Sequence, residues 1–468
     1  MLLSSSRLLS FISLPALITS LQYSAIEKGA YEADSILRRD AVIIGGGSSG
    51  TYAAIGLRDK GKTVAVIEQK NLLGGHTNTY TDPATKTPVD YGVIVFDNSS
   101  IVTSYFNRFN IPLTTGTGRA TGSFTESYID FSTGKNITSY VPPDPTAAFN
   151  AYATQLQKYP SLNKPGWNVP DPVPADLLLP FGDFVKKYKL DGAVPTIYFF
   201  AQGFGDILSI PTLYFVKYFS LSFLQGVETG FLITSRHDNS ELYEKARTEL
   251  GDDVLLNSTV LSTDRSGTDV KVSVQTPAGK KLVIAKKLVI SIPPLLSNLN
   301  GFDLTDNERS LFSQFTSGAL YTGLLNHTGI PDNVEITAVK PNTPYNLPQL
   351  PTLYGLYLTA VPGLKQFLYG NSAPLSDNDV RSSIVSQIQK LKTAGTIPTA
   401  STPEFVAYSN HYPYELRVSA DAIAKGFYKN LTALQGQTKT YWTGAAFDRH
   451  DSGSVWAFTE GLLGGIAA

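Results

Sequence analysis

Asp40-Ala41-Val42-Ile43-Ile44-Gly45-Gly46-Gly47-Ser48-Ser49-Gly50 is the stretch on which the fold turns. Its first five residues form a short apolar, β-branched run, the pattern of a parallel strand buried on both faces. The glycines that follow fit G-x-G-x-x-G. Residues 51–60 place Ala53, Ala54 and Leu57 at helical spacing, and Gly61 ends the helix. Residues 63–67 read as a second strand ending at Glu68, 23 residues after Gly45. Together these make a βαβ unit in which each part has a physical task. Gly45 permits the tight turn, Gly47 lets a pyrophosphate approach the backbone, and Gly50 lets helix pack on strand. The helix N-terminus offers free N–H groups and the positive end of its dipole to phosphate. Glu68 can accept hydrogen bonds from ribose hydroxyls, and its charge disfavours a 2′-phosphate. A dinucleotide site is expected here.

Around this unit the composition is globular: of 468 residues, 42% are hydrophobic and 16% charged. The length suits two to three domain-sized units or one large two-domain enzyme. With 38 basic and 39 acidic residues, the chain lacks the overall basic field that nucleic-acid binding needs. The absence of cysteine removes disulfides, thiolate zinc sites, iron–sulfur clusters and any thiol nucleophile. The five histidines, His76, His237, His327, His411 and His450, form no HExxH or HxH pattern, so no metal site is expected. Arg236-His237-Asp238 is no triad, because adjacent side chains do not converge.

Residues 1–24 read as a targeting segment. Arg7 gives a basic start, and residues 8–21 are uncharged and mostly apolar. The stretch is too short, and too interrupted by Pro15, for a stable membrane span. The reading is a secretory signal, with a mitochondrial presequence or a frayed tail as the alternatives. Sequons at Asn98, Asn136, Asn257, Asn326 and Asn430 permit a secreted glycoprotein without arguing for one.

Farther along, residues 147–158 read as a helix within a proline-rich loop. Residues 196–225 are dense in aromatic residues, but Asp206 and Lys217 interrupt them, so they are no membrane span. Most of that segment reads as core, the remainder as the lining of a substrate cavity. Residues 240–250 read as a helix, and 254–261, 270–276 and 282–292 as strands. Helices are expected at 307–315 and 377–393, and a strand, loop and glycine-rich helix at 440–468.

Leu73-Gly74-Gly75-His76-Thr77-Asn78-Thr79 follows Glu68 closely. Dinucleotide loop, acidic strand end and Gly-Gly-polar-x-x-Thr together resemble the flavin-containing amine oxidase superfamily. Residues 254–260, the strands after them and 288–294 resemble that family's second FAD-contacting stretch. Tyr441-Trp442-Thr443-Gly444 with Asp451-Ser452-Gly453-Ser454-Val455 is similar to its C-terminal flavin motif. The resemblance spans residues 40–468 and is nearest to the fungal β-cyclopiazonate dehydrogenase type. It implies FAD, held by Gly45, Gly47, Ser49, Gly50, Glu68 and Gln69. It further implies contacts at Gly74, Gly75, His76, Val260, Gly444, Ser454 and Val455. The fold implied is α/β plus α+β, a Rossmann-type FAD-binding domain interleaved with a substrate domain. The former takes residues 40–110, 230–300 and 436–468; the latter takes 111–229 and 301–435.

The sequence also departs from the family. Ala445-Ala446 stand where an acid usually follows the glycine, with Asp448 as a possible substitute. No lysine lies between Lys287 and Lys340, where amine oxidases carry one, and Tyr321 falls in that region. Ser454 stands where those enzymes present an aromatic cage residue. A simple amine substrate is therefore disfavoured. His76 is the candidate catalytic residue, able to support flavin charge, act as acid or base, or carry a covalent link. His411, in an aromatic loop, and His450, near the flavin helix, are secondary candidates. The expected function is an FAD-dependent oxidoreductase taking hydride from an apolar small molecule, with oxygen or another electron acceptor as partner. The alternatives are a flavin-dependent double-bond isomerase and a secreted flavin-binding protein without turnover.

Overall fold

The computed structural model describes residue 26 and residues 31–118, 123–397 and 402–468. The expected targeting segment, residues 1–24, lies outside the described residues. The opening motif forms strand β1 (Ile36–Ile44), helix α1 (Ser48–Asp59) and strand β2 (Val64–Ile67). β1 starts before Asp40 because Ile36 and Leu37 already pair with Leu282 and Val283. Its second half, Ala41 to Ile44, is buried on both faces, as a central parallel strand requires. β1 runs parallel to β2 on one side and to Gly279–Ile290 on the other.

The first sheet has seven strands, in the order Thr259–Asp264, Val270–Thr276, Gly279–Ile290, β1, β2, Val254–Leu255. Thr440–Trp442 adds in parallel to Gly279–Ile290, so the last described strand lies one strand away from β1. The run 254–261, expected as one strand, is two. Asn257 adopts a left-handed φ of 50°, and the pieces lie at opposite edges of the sheet. Between them the chain crosses the carboxyl ends of the strands, held by Asn257 N donating to Lys70 O and Ser258 N to Glu68 O.

The C-terminal helix, Ser452–Ala467, packs on α1. Gly56, in mid-helix, makes this possible: a Cβ there would lie 2.4 Å from Leu463 Cδ1.

The second sheet has eight strands and is mostly antiparallel, built around Thr316–Asn326 and Lys365–Asn371. Helix Asp377–Thr393 lays Val380, Ile384, Ile388 and Leu391 onto it. The aromatic segment forms three helices, Val194–Phe200, Thr212–Tyr218 and Leu221–Thr229. Phe204, Phe215 and Phe219 are fully buried there, while Phe199, Phe200 and Phe223 border the central cavity. The ladder between Leu113–Gly116 and Phe231–Thr234 joins segments assigned from sequence to different domains. Among the described residues no helix is long and apolar enough to cross a membrane. Of the sequon asparagines, Asn98, Asn136, Asn257 and Asn430 are exposed and Asn326 is half-buried.

Candidate functional site

A cavity of about 880 Å³ runs between the two sheets. Gly45, Gly47, Ser48 and Ser49 form one end of it. Gly45 has a φ of 99°, and a Cβ on Gly50 would lie 2.0 Å from Gly45 O. Gly50 thus sits behind the cavity wall and sets the helix–strand distance. No side chain caps α1, whose N-terminus begins at Gly47. Its first N–H groups are left for an anion.

Glu68 borders the cavity with both oxygens engaged. Oε2 accepts from Gly46 N at 2.7 Å and Oε1 from Lys70 N at 2.8 Å. The carboxylate therefore ties the glycine loop to the segment after β2, and only its remaining lone pairs can serve a ribose. Gly74 N donates to Gly46 O at 2.8 Å, and Gly75 lies so close that its Cβ would be 3.0 Å from Gly47 Cα. Two glycine segments thus meet backbone to backbone. Gln69, Gly74, Gly75, His76 and Val260 border the cavity beyond them. Gly444, with φ 99°, and Val455 border it from the C-terminal motif.

Ser454 does not reach the cavity wall. Its N–H donates at 2.7 Å to Asp451, the residue that caps the C-terminal helix. Asp448, considered as a substitute acid, is buried elsewhere: it pairs with Lys217 at 2.8 Å and accepts from Gly166 N at 2.9 Å. Tyr321 is core, its hydroxyl donating to Leu375 O and accepting from Leu375 N, and it does not line the cavity. His237 is exposed, and His327 largely so.

The structure brings three of the five histidines together. The His76 and His411 rings stack with centroids 4.2 Å apart and planes at 12°. The His450 ring lies 5.9 Å from that of His76 at 14°. Tyr414 leans on His450 at 4.4 Å. His411 Nε2 is 3.0 Å from Asn78 Oδ1, and Glu415 N donates to His450 Nε2 at 3.0 Å. Burial pushes His411 down to about 3 and His450 to about 4, so both rings are neutral. His76 is held well below its ordinary value by burial and by the neighbouring rings. The rings lie face to face, and no described group of three His, Asp or Glu is placed to hold a metal ion.

Asp97 and Arg449 also border the cavity, and no sequence motif points to either. Burial and the Asp451 charge raise Asp97 to about 6. His411 and His450 were visible singly; nothing in the sequence showed that they meet. The donor set fits a flavin dinucleotide: an uncapped helix end and glycine loop for pyrophosphate, Glu68 for ribose, and a wide, largely aromatic chamber beyond.

Comparison with known proteins agrees. The NAD(P)-binding Rossmann-like domain family matches residues 43–109. The chain is 40% identical over 454 residues to FAD-dependent oxidoreductase pigF of Monascus ruber, covering 95% of this chain and 96% of that one. It is 36% identical over 454 residues to β-cyclopiazonate dehydrogenase of Aspergillus oryzae, covering 96% and 98%. A solved fatty acid isomerase from P. acnes superposes with a TM-score of 0.72 at 18% identity, covering 91% of this chain and 98% of that one. A solved putrescine oxidase gives 0.65 at 16% identity, covering 92% and 99%. Fold and site thus define a dinucleotide-binding flavoenzyme whose fold is like that of the solved putrescine oxidase. The chain belongs to the fungal FAD-dependent oxidoreductases that include β-cyclopiazonate dehydrogenase. Its cofactor is FAD.

Proposed function

We propose that this enzyme oxidises a neutral, largely apolar small molecule of fungal secondary metabolism and passes the electrons to oxygen or another acceptor. One observation carries the reading. The cavity wall supplied by residues 199–231, 320 and 357–368 has no charged side chain. Phe199, Phe200, Phe223 and Phe231 dominate it, and its polar contacts come from amides and hydroxyls such as Gln202, Ser222 and Gln366. A cationic amine would find no carboxylate on that wall, whereas a neutral polycyclic molecule loses little on leaving water. The fungal relatives, one named for dehydrogenation of β-cyclopiazonate, support a small-molecule substrate.

FAD supplies the hydride-accepting ring. The protein contributes position, exclusion of water and a neutral polar edge, the histidine column. The candidate FAD contacts are Gly45, Gly47, Ser49, Glu68, Gln69, Gly74, Gly75, His76, Val260, Gly444 and Val455, with Gly50 shaping the loop from behind.

The test is anaerobic mixing of the purified yellow protein with fractionated fungal metabolite extracts. Bleaching of the flavin absorbance, with a product two hydrogens lighter and colour regained on admitting air, is the expected result. A product of unchanged mass, formed without oxygen uptake, would instead establish double-bond isomerisation. Flavin that no fraction and no strong small donor reduces would mark a binding protein without turnover.

A further inference from the structure

Two rings of the histidine column have fixed tautomers. Asn78 Oδ1 can only accept, so the hydrogen shared at 3.0 Å belongs to His411 Nε2. A neutral ring with its hydrogen there carries a lone pair on Nδ1. At His450 the order is reversed: Nε2 accepts from Glu415 N, so Nδ1 bears the hydrogen. Among the described residues no group hydrogen-bonds His411 Nδ1, and that nitrogen is not among the sealed, unpartnered polar atoms. His411 is 2% exposed overall and borders the cavity, so Nδ1 opens onto the cavity.

A second unpaired acceptor lies nearby. Gln202 is 6% exposed, donates Nε2 to Tyr357 OH at 3.0 Å, and leaves Oε1 without a partner. The segments that carry the two residues both meet Leu320. His411 N donates to Leu320 O, and a Cβ on Gly203, next to Gln202, would lie 2.7 Å from Leu320 Cβ. Gln202 Oε1 is sealed from the cavity surface, so of the two only His411 Nδ1 is open to a ligand's hydrogen.

We infer that the substrate is a carbinol, that His411 Nδ1 takes its hydroxyl proton as the carbon's hydride departs, and that Asn78 is the positioning residue that keeps that lone pair available. This rests on the proposed oxidase function. The balance is simple. The C–H bond breaks with both electrons leaving as hydride to FAD, the O–H bond breaks with the proton passing to His411, and a C=O bond forms. Burial makes His411 a weak base, but the O–H of a carbinol losing hydride approaches a protonated carbonyl, a far stronger acid than imidazolium. A ring kept neutral at all ordinary pH values is suited to that step.

The test uses the FAD-loaded enzyme, labelled with ¹⁵N-histidine, and two probes of one shape: 1-(2-naphthyl)ethanol and 2-ethylnaphthalene. Binding is read from the flavin absorbance change and from the histidine nitrogen resonances. The carbinol is expected to bind about fivefold more tightly than the hydrocarbon, the worth of one hydrogen bond. It is also expected to shift the His411 Nδ1 resonance, which the hydrocarbon leaves in place. His411→Leu and Asn78→Leu should each abolish the preference without weakening 2-ethylnaphthalene, and Asn78→Leu should show the Nδ1–H tautomer. Any carbinol that bleaches the flavin should be oxidised about 10²- to 10⁴-fold more slowly by His411→Leu, chiefly in kcat. Equal affinity for the two probes, no binding of either, or a preference that survives His411→Leu would overturn the inference. Because these readings need no turnover, they fail independently of the oxidase assignment. Flavin bleached by an extract at the same rate in wild type and His411→Leu would leave that assignment standing and remove His411.

Discussion

Replacing Lys217 with methionine should unfold this protein at markedly lower denaturant concentration. Lys217 and Asp448 are 2% and 1% exposed and lie 2.8 Å apart. The ammonium also donates to Lys164 O at 2.8 Å, Gly166 O at 2.9 Å and Leu162 O at 3.2 Å. Asp448 accepts from Gly166 N at 2.9 Å. Methionine keeps the length and the apolar stem but removes the cation. It leaves a buried carboxylate with one N–H for company, and three carbonyls without donors. Breaking such a pair from one side costs about 3–5 kcal/mol, roughly a fifth or more of the stability of an ordinary domain. Asp448→Asn should cost less, because the ammonium keeps its three carbonyls and burial already lowers its proton affinity. In Lys217→Met/Asp448→Leu no buried charge remains, so its loss should fall at least about 2 kcal/mol short of the sum of the single losses. The assay is urea unfolding at fixed excess FAD, followed by tryptophan fluorescence. Trp167 is well placed to report, since its ring lies 5.9 Å from Lys217 Nζ and its Nε1 donates to Ala446 O at 3.0 Å. A loss under about 1 kcal/mol in Lys217→Met, or additive losses in the double variant, would refute the reasoning.

Three further outcomes are expected. Glu68→Gln should weaken FAD about tenfold and Glu68→Ala more, because the amide must turn its NH₂ toward either Gly46 N or Lys70 N; FAD titration of the apoprotein decides, and unchanged affinity in Glu68→Gln would count against it. Below pH 6.5 the unfolded chain takes up a proton at His450 that the folded state accepts only near pH 4, so stability is full above pH 6.5 and falls by about 3 kcal/mol toward pH 4 from this group alone. His450→Gln should flatten that slope in urea midpoints, and an unchanged slope would exclude His450 as its source. Gly56→Val should lower the thermal midpoint at a cost of about 1–3 kcal/mol, since its Cβ would sit 2.4 Å from Leu463 Cδ1.

The cofactor half of the site was legible because its constraints are local and fall on the backbone. A turn with φ near 99° at Gly45, a glycine with no room for a methyl at position 50 and an acid at the end of β2 are properties of one short stretch. They can be recognised without knowing what lies across the cavity. Even there Glu68 held something hidden: the sequence offered it to a ribose, whereas the structure shows it first fastening two loops through their own N–H groups. The break at Asn257 was missed for a related reason. Residues 254–261 have the composition of a continuous strand, and only the left-handed asparagine marks where the chain leaves one sheet edge for the other.

The substrate half was not legible, because it is assembled from residues whose nearness is a property of two sheets packed together. His76 follows β2, His411 follows the strand Glu404–Asn410, and His450 precedes the last helix. No periodicity links them, and although each could be singled out alone, nothing in the sequence shows that they meet. Lys217 is the sharper case: in sequence it interrupts an aromatic run and looks like a solvated charge. In the fold it is one of the most buried cations, and it fastens the aromatic helices to the loop that carries Arg449 and His450. The ion pair missing from any sequence reading is thus one physical link between the two halves. It sets the helices of the aromatic wall against the flavin motif, and so fixes the distance at which a substrate on that wall meets the histidine column.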